Sequence, residues 1–112
     1  MEAKVIAIDF DGTLFENAYP SIGQPRWDVI KWAISAQQSG HCVVLWTCRE
    51  GKELQEAVEA CASCGLTFDA VNAIPVESWE KQGTPTYRKL FADLYVDDRA
   101  MSPEEALIKL QF

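Results

Sequence analysis

Ile6-Ala7-Ile8-Asp9-Phe10-Asp11-Gly12-Thr13-Leu14 is the stretch around which the rest of the chain can be ordered. A short apolar run rich in β-branched residues reads as a buried strand, and Gly12-Thr13 supplies the turn that ends it. Two carboxylates therefore fall at the strand's carboxyl end. In a continuing strand Asp9 and Asp11 share a face, where like charges repel unless something neutralises them. A hard divalent cation, with its preference for oxygen ligands, meets that need. Taken alone, Asp-Phe-Asp-Gly reads more readily as a simple turn after a strand; the remaining chain shifts the balance.

Cys42-Val43-Val44-Leu45-Trp46-Thr47 is a second buried-strand pattern, ending in a hydroxyl, and Asp93-Leu94-Tyr95-Val96-Asp97-Asp98 is a third, ending in two acids. Lys89 lies just before the third, within Thr86-Tyr87-Arg88-Lys89-Leu90-Phe91. The order along the chain is acid pair, hydroxyl, lysine, acid pair. Paired carboxylates divide labour well in phosphoryl chemistry: one attacks phosphorus, while the other protonates the leaving oxygen and later activates water.

In these four segments the chain resembles the haloacid dehalogenase superfamily, whose phosphatase members carry four motifs in the same order, and the resemblance spans almost the whole sequence. It implies a three-layer, Rossmann-like α/β fold with a parallel sheet and helices on both faces. It also implies that Asp9 is the nucleophile and Asp11 the general acid/base, with Thr47 hydrogen-bonding the phosphoryl group and Lys89 neutralising it. Mg²⁺ would be held by the Asp9 carboxylate, the backbone carbonyl of Asp11, Asp98 and water, with Asp97 orienting its neighbours; the division of tasks between Asp97 and Asp98 stays open. Asp11 places the match with the phosphatase branch, because the dehalogenase branch lacks an acid at that position. Asp9-Phe10-Asp11-Gly12-Thr13 is the most specific of the motifs, and Thr47 alone the least. Lys81 and Arg88 compete with Lys89 for its role.

The helical signals fit an alternating α/β chain. Pro25 opens a segment in which Val29, Ile30, Ala33 and Ile34 recur at helical spacing, with Gly40 as its stop. A second helix is expected over about Lys52 to Cys64, with Leu54, Val58 and Cys61 on one face and Gly65 as its stop, before a short strand around Ala70-Val71-Asn72. Ser102, Pro103 and Glu105 form a capping-box start for a last helix, whose Ala106, Leu107 and Leu110 are expected to face the sheet. Strands alternating with helices imply right-handed crossovers and ligand binding beyond the strands' carboxyl ends. A flavodoxin-like receiver domain has similar size and similar strand-end groups, but its phosphoacceptor aspartate stands on the central third strand, where this chain has Val71-Asn72.

At 112 residues and 48% hydrophobic composition the chain suits one domain, residues 1–112, with no room for a second. No cap domain is expected: residues 15 to 25 can form only a flap, and residues 50 to 80 are needed for a helix, a strand and connections. An open site of this kind suits a phosphorylated macromolecule, or a neighbouring subunit of a homo-oligomer acting as lid. Small phosphomonoesters are the other option, with contacts around Tyr19 and Arg26. A noncatalytic module that binds Mg²⁺ or a phosphorylated ligand is the alternative from a different functional class.

A net charge of −7 disfavours a broad nucleic-acid or anionic-membrane surface, leaving at most a local basic patch at Arg88, Lys89 and Arg99. Without a leader pattern or an apolar span of membrane length, a soluble cytoplasmic protein is expected. Cys61-Ala62-Ser63-Cys64 has C-x-x-C spacing but no second pair or nearby histidine to complete a zinc site, so helix packing is the better reading. His41 reads as a turn residue. The scattered Trp27, Trp32, Trp46 and Trp79 read as packing rather than a stacking platform.

Overall fold

The apolar runs pair into a parallel sheet. A computed structural model describes residues 3–73 and 90–109. Its elements in chain order are β1 (Val5–Ile8), α1 (Trp27–Gln38), β2 (Cys42–Leu45), α2 (Gly51–Ser63), β3 (Ala70–Val71), β4 (Leu94–Val96) and α3 (Pro103–Lys109). The strands form one sheet in the order β3-β2-β1-β4, and every pairing is parallel. This is the small Rossmann-like α/β fold expected from the alternation of elements. The chain steps from β1 to β2 to β3 in one direction, then returns to lay β4 on the free side of β1. The order therefore reverses between β1 and β4, and the crevice beyond their carboxyl ends is where such sheets bind ligands.

β1 is buried along its whole length, as a central strand covered on both faces should be. Ile8, Val43 and Leu45 share a core with Ile30 and Ala33 of α1 and Ala57 and Cys61 of α2. On the opposite face Val5, Ala7 and Val44 pack with Leu90. Cys61 is thus a core residue of α2, and burial pushes its thiol pKa up to about 12. Trp46 packs against the Tyr95 ring at 5.1 Å, as expected, whereas Trp27 and Trp32 are 49% and 43% exposed on α1 and lie outside the core expected to take them. His41 accepts the Lys4 backbone N–H at 3.0 Å, at the amino end of β1.

α1 starts two residues later than Pro25, because Pro25 bridges Phe15 and the Arg26 N–H donates to the Leu14 carbonyl at 2.8 Å. The expected stops hold. Gly40 N–H and His41 N–H donate back to Gln37 and Ala36, and Gly65 N–H and Leu66 N–H to Ala62 and Cys61, which is the Schellman arrangement at both helix ends. The Ser102 cap also forms: Glu105 N–H donates to Ser102 Oγ at 3.1 Å, and Ser102 N–H to Glu105 Oε1 at 3.3 Å.

One expectation fails here. Leu107 does not face the sheet: it is 79% exposed, and its neighbour Ile108 is 75% exposed, while Ala106 is half-buried. A helix this short gains its order from the local capping box and the Glu105–Lys109 pair, so its apolar residues need not find a core. Leu110 lies outside the described residues, as do Trp79, Lys81, Arg88 and Lys89.

Candidate active site at the sheet's carboxyl edge

Backbone pairing runs past the ends of the strands and draws the polar residues together. Asp9 N–H donates to Val96 O at 3.0 Å, Trp46 N–H to Ile8 O at 2.9 Å and Asn72 N–H to Leu45 O at 2.7 Å. Asp9 therefore sits directly beside Asp97 and Asp98, at the crevice where strand order reverses. Phe10 is the peg that ends β1. It is fully buried, stacks on Phe15 with ring centroids 4.8 Å apart, and its carbonyl accepts the N–H groups of Thr13, Leu14 and Phe15. Burying such a ring contributes on the order of 2–3 kcal/mol, enough to hold a turn that puts Asp9 and Asp11 on either side of it.

Asp9, Asp97 and Asp98 each place a carboxylate oxygen within 4.8 Å of the others. Burial, and then repulsion from Asp97, Asp98 and Asp11, pushes the Asp9 pKa from 3.8 up to about 6, against a hydrogen bond from the Phe10 backbone that favours the charged form. Gly12 makes this approach possible. Its φ is +86°, a conformation that side chains disfavour, and a Cβ there would stand 2.2 Å from Asp98 Oδ2. Asp97 Oδ1 also accepts the Arg99 N–H at 3.1 Å. Three convergent carboxylates that repel one another are a donor set suited to a hard divalent cation such as Mg²⁺.

The Asp11 carboxylate is not in this cluster. The strand does not continue through it: after Asp9 the chain turns, Asp11 bridges Phe15, and its side chain points to Arg49. Arg49 Nε and Nη2 donate to the two Asp11 oxygens, each at 2.8 Å, forming a bidentate pair. Arg49 is only 2% exposed. Its remaining N–H groups donate to the carbonyls of Pro20 at 3.1 Å, Ser21 at 2.7 Å and Glu53 at 3.3 Å. A guanidinium has five N–H donors, so all are engaged. Its carbon lies 4.9 Å from the Phe10 ring centroid and 5.1 Å from that of Tyr19. The hydrogen bond to Asp11, outweighing burial, holds the Arg49 pKa above its ordinary value.

Thr47 stands at the end of β2, half-buried, with its backbone N–H donating to Asn72 Oδ1 at 2.8 Å and its Oγ accepting the Arg49 N–H at 3.1 Å. A hydroxyl whose oxygen is already an acceptor has its proton left to donate. Asn72 holds this position from a left-handed backbone conformation, φ 50°. Arg26 Nη1 donates to the Gly12 carbonyl at 3.3 Å, and the flap between β1 and α1 meets Arg49 at the Tyr19 ring.

The structure thus brings Asp9, Asp97, Asp98, Asp11 and Thr47 to one edge of the sheet, while Lys89 lies outside the described residues. Arg49 and Asn72 were missed by sequence reasoning. Arg49 did carry a signal, as the first basic residue after a strand end on a sheet edge rich in acids. Asn72 carried one only as the polar residue closing a very short strand.

No family model matches the chain, and no curated protein matches it. A solved structure of a conserved protein coded by a locus of Bacteroides thetaiotaomicron is similar to it. The two are 42% identical, with a TM-score of 0.77, and the match covers 96% of this chain and 87% of that one. Identity at this level over nearly all of both chains means that the protein belongs to the same family as this conserved Bacteroides thetaiotaomicron protein.

Proposed function

We propose that the protein is a Mg²⁺-dependent phosphomonoester hydrolase of the haloacid dehalogenase type, acting through an aspartyl-phosphate on Asp9. The observation that carries this reading is the convergence of Asp9, Asp97 and Asp98 at the crevice between β1 and β4. Asp9, Asp98 and the Asp11 backbone carbonyl are the groups that would hold the metal, with Asp97, tied to Arg99 N–H, orienting them. When bound, Mg²⁺ supplies the positive charge that lets an anionic carboxylate approach an anionic phosphate.

The chain's own groups carry the steps. An Asp9 oxygen bonds to phosphorus as the bond to the leaving oxygen breaks, and Asp11 gives that oxygen its proton. Water then attacks phosphorus, Asp11 takes its proton, and the Asp9 carboxylate is released with inorganic phosphate. The Thr47 hydroxyl donates to a phosphoryl oxygen, and Lys89 neutralises the charge that builds there. The substrate is a phosphomonoester presented at an open edge: a phosphorylated macromolecule, or a smaller ester covered by a second copy of the chain, in the cytoplasm. Among the described residues no helix is long and apolar enough to cross a membrane.

A second reading draws on one observation. Asp11 is committed to Arg49 in a bidentate pair, as it would be in a noncatalytic module that binds Mg²⁺ or a phosphorylated ligand. Phosphate release from a phosphomonoester panel decides between the two. Multiple turnovers with Mg²⁺, absent with EDTA and in Asp9→Asn, support the hydrolase. Ligand binding without release across the panel supports the module.

A further inference from the structure

We propose that Arg49 is a positioning residue that couples the flap around Pro20 and Ser21 to the Asp11 carboxylate, so that the flap's engagement with substrate sets where Asp11 stands for proton transfer. The proposal rests on the hydrolase reading above. Arg49 cannot itself touch a substrate, since it is 2% exposed and all its donors are engaged. What it touches is informative: both oxygens of Asp11, two consecutive flap carbonyls, and the carbonyl of Glu53 in the first turn of α2.

The guanidinium is one rigid plane shared by both partners, lying against the Phe10 and Tyr19 rings and reaching the Glu53 carbonyl at 3.3 Å. If the flap moves, two donors of a buried cation lose their acceptors. If Asp11 moves, two others do. Leaving such donors unpaired is costly, so a guanidinium that shifts with the flap carries the Asp11 carboxylate with it, and the two displacements are linked. Tyr19 is the outward arm of this linkage. Its ring lies over the guanidinium, yet the residue is 60% exposed. A substrate pressing on Tyr19 bears on the Arg49 contacts and, through them, on Asp11.

Proton donation to the leaving oxygen matters for a poor leaving group and little for a good one, and this separates positioning from mere stability. The experiment compares glycerol phosphate with 4-nitrophenyl phosphate, with Mg²⁺, for wild type, Arg49→Gln, Arg49→Lys, Asp11→Asn and the double variant Asp11→Asn/Arg49→Gln. Expected is a loss in kcat of roughly 100-fold on the alkyl ester for both Arg49 variants, because lysine lacks the fork that grips two carboxylate oxygens. The loss on the aryl ester stays within about fivefold, and the double variant falls no further than Asp11→Asn. In EDTA, amide exchange at Ser21, whose N–H donates to Ala18 O, speeds up about tenfold in Asp11→Asn.

Equal losses on the two esters, additive losses in the double variant, or unchanged exchange at Ser21 each overturn the positioning role while leaving the hydrolase intact. Failure of both Arg49 variants to fold assigns the residue to stability and overturns it likewise. Absence of Mg²⁺-dependent turnover in wild type overturns the hydrolase reading and the positioning role with it.

Discussion

Replacing Asp9 by asparagine stabilises the metal-free protein at neutral pH. Burial, reinforced by Asp97, Asp98 and Asp11, raises the Asp9 pKa from 3.8 to about 6. The folded state therefore holds the proton more tightly than the unfolded chain, and the ionised carboxylate opposes folding. That opposition is absent below pH 3.8, grows as pH rises towards 6, and is complete above it. At about 1.36 kcal/mol per pKa unit the full effect is about 3 kcal/mol. Asp9 is only half-buried, and solvent screening brings the expected gain to about 1–2 kcal/mol. Asparagine keeps an oxygen for the Phe10 N–H, so little is lost in exchange. In a domain of this size the gain appears as a rise in Tm of about 5–10 °C. Thermal unfolding in EDTA at pH 7.5 and pH 4 checks it. No rise at pH 7.5, or the same rise at pH 4, would refute the claim that charge at Asp9 is held against its preference.

Mg²⁺ bound as proposed would relieve the same repulsion from the other direction: the expected result is a rise in the Tm of wild type at pH 7.5, by an amount equivalent to about 2.7 kcal/mol at a hundredfold excess over Kd. Asp98→Asn blunts that response, and an undiminished shift would remove Asp98 from the ligand set. Arg49→Ala leaves the Asp11 carboxylate and three carbonyls without their donor, a loss of about 3 kcal/mol by urea unfolding. A cost under about 1 kcal/mol would reduce the pair to an ordinary surface contact. Gly12→Ala places a Cβ 2.2 Å from Asp98 Oδ2 at a φ of +86°, so it lowers stability by about 1–3 kcal/mol and weakens the Mg²⁺-induced rise in Tm. A variant that melts and responds to Mg²⁺ like wild type would show that the acid loop does not need the glycine.

The strands, two helix ends and the Ser102 cap were legible because each is written in neighbouring residues. An apolar β-branched run before Gly12, a glycine after a periodic segment, and Ser102 three positions before Glu105 are all local signals, and local geometry decides them. Asp9, Thr47 and the Asp97-Asp98 pair could be placed at strand ends for the same reason. What the tertiary structure decided was which side chains meet. Only the order β3-β2-β1-β4 sets β4 beside β1 and so puts Asp97 and Asp98 against Asp9. The Phe10 peg turns the chain so that Asp11 leaves the face of Asp9 and reaches Arg49, 38 residues away in sequence. No periodicity records that partnership, because the pairing of a buried charge is settled by whatever the fold brings within hydrogen-bond reach of it. Leu107 marks the converse limit: an amphipathic pattern names an apolar face, but only packing determines whether a core is there to receive it.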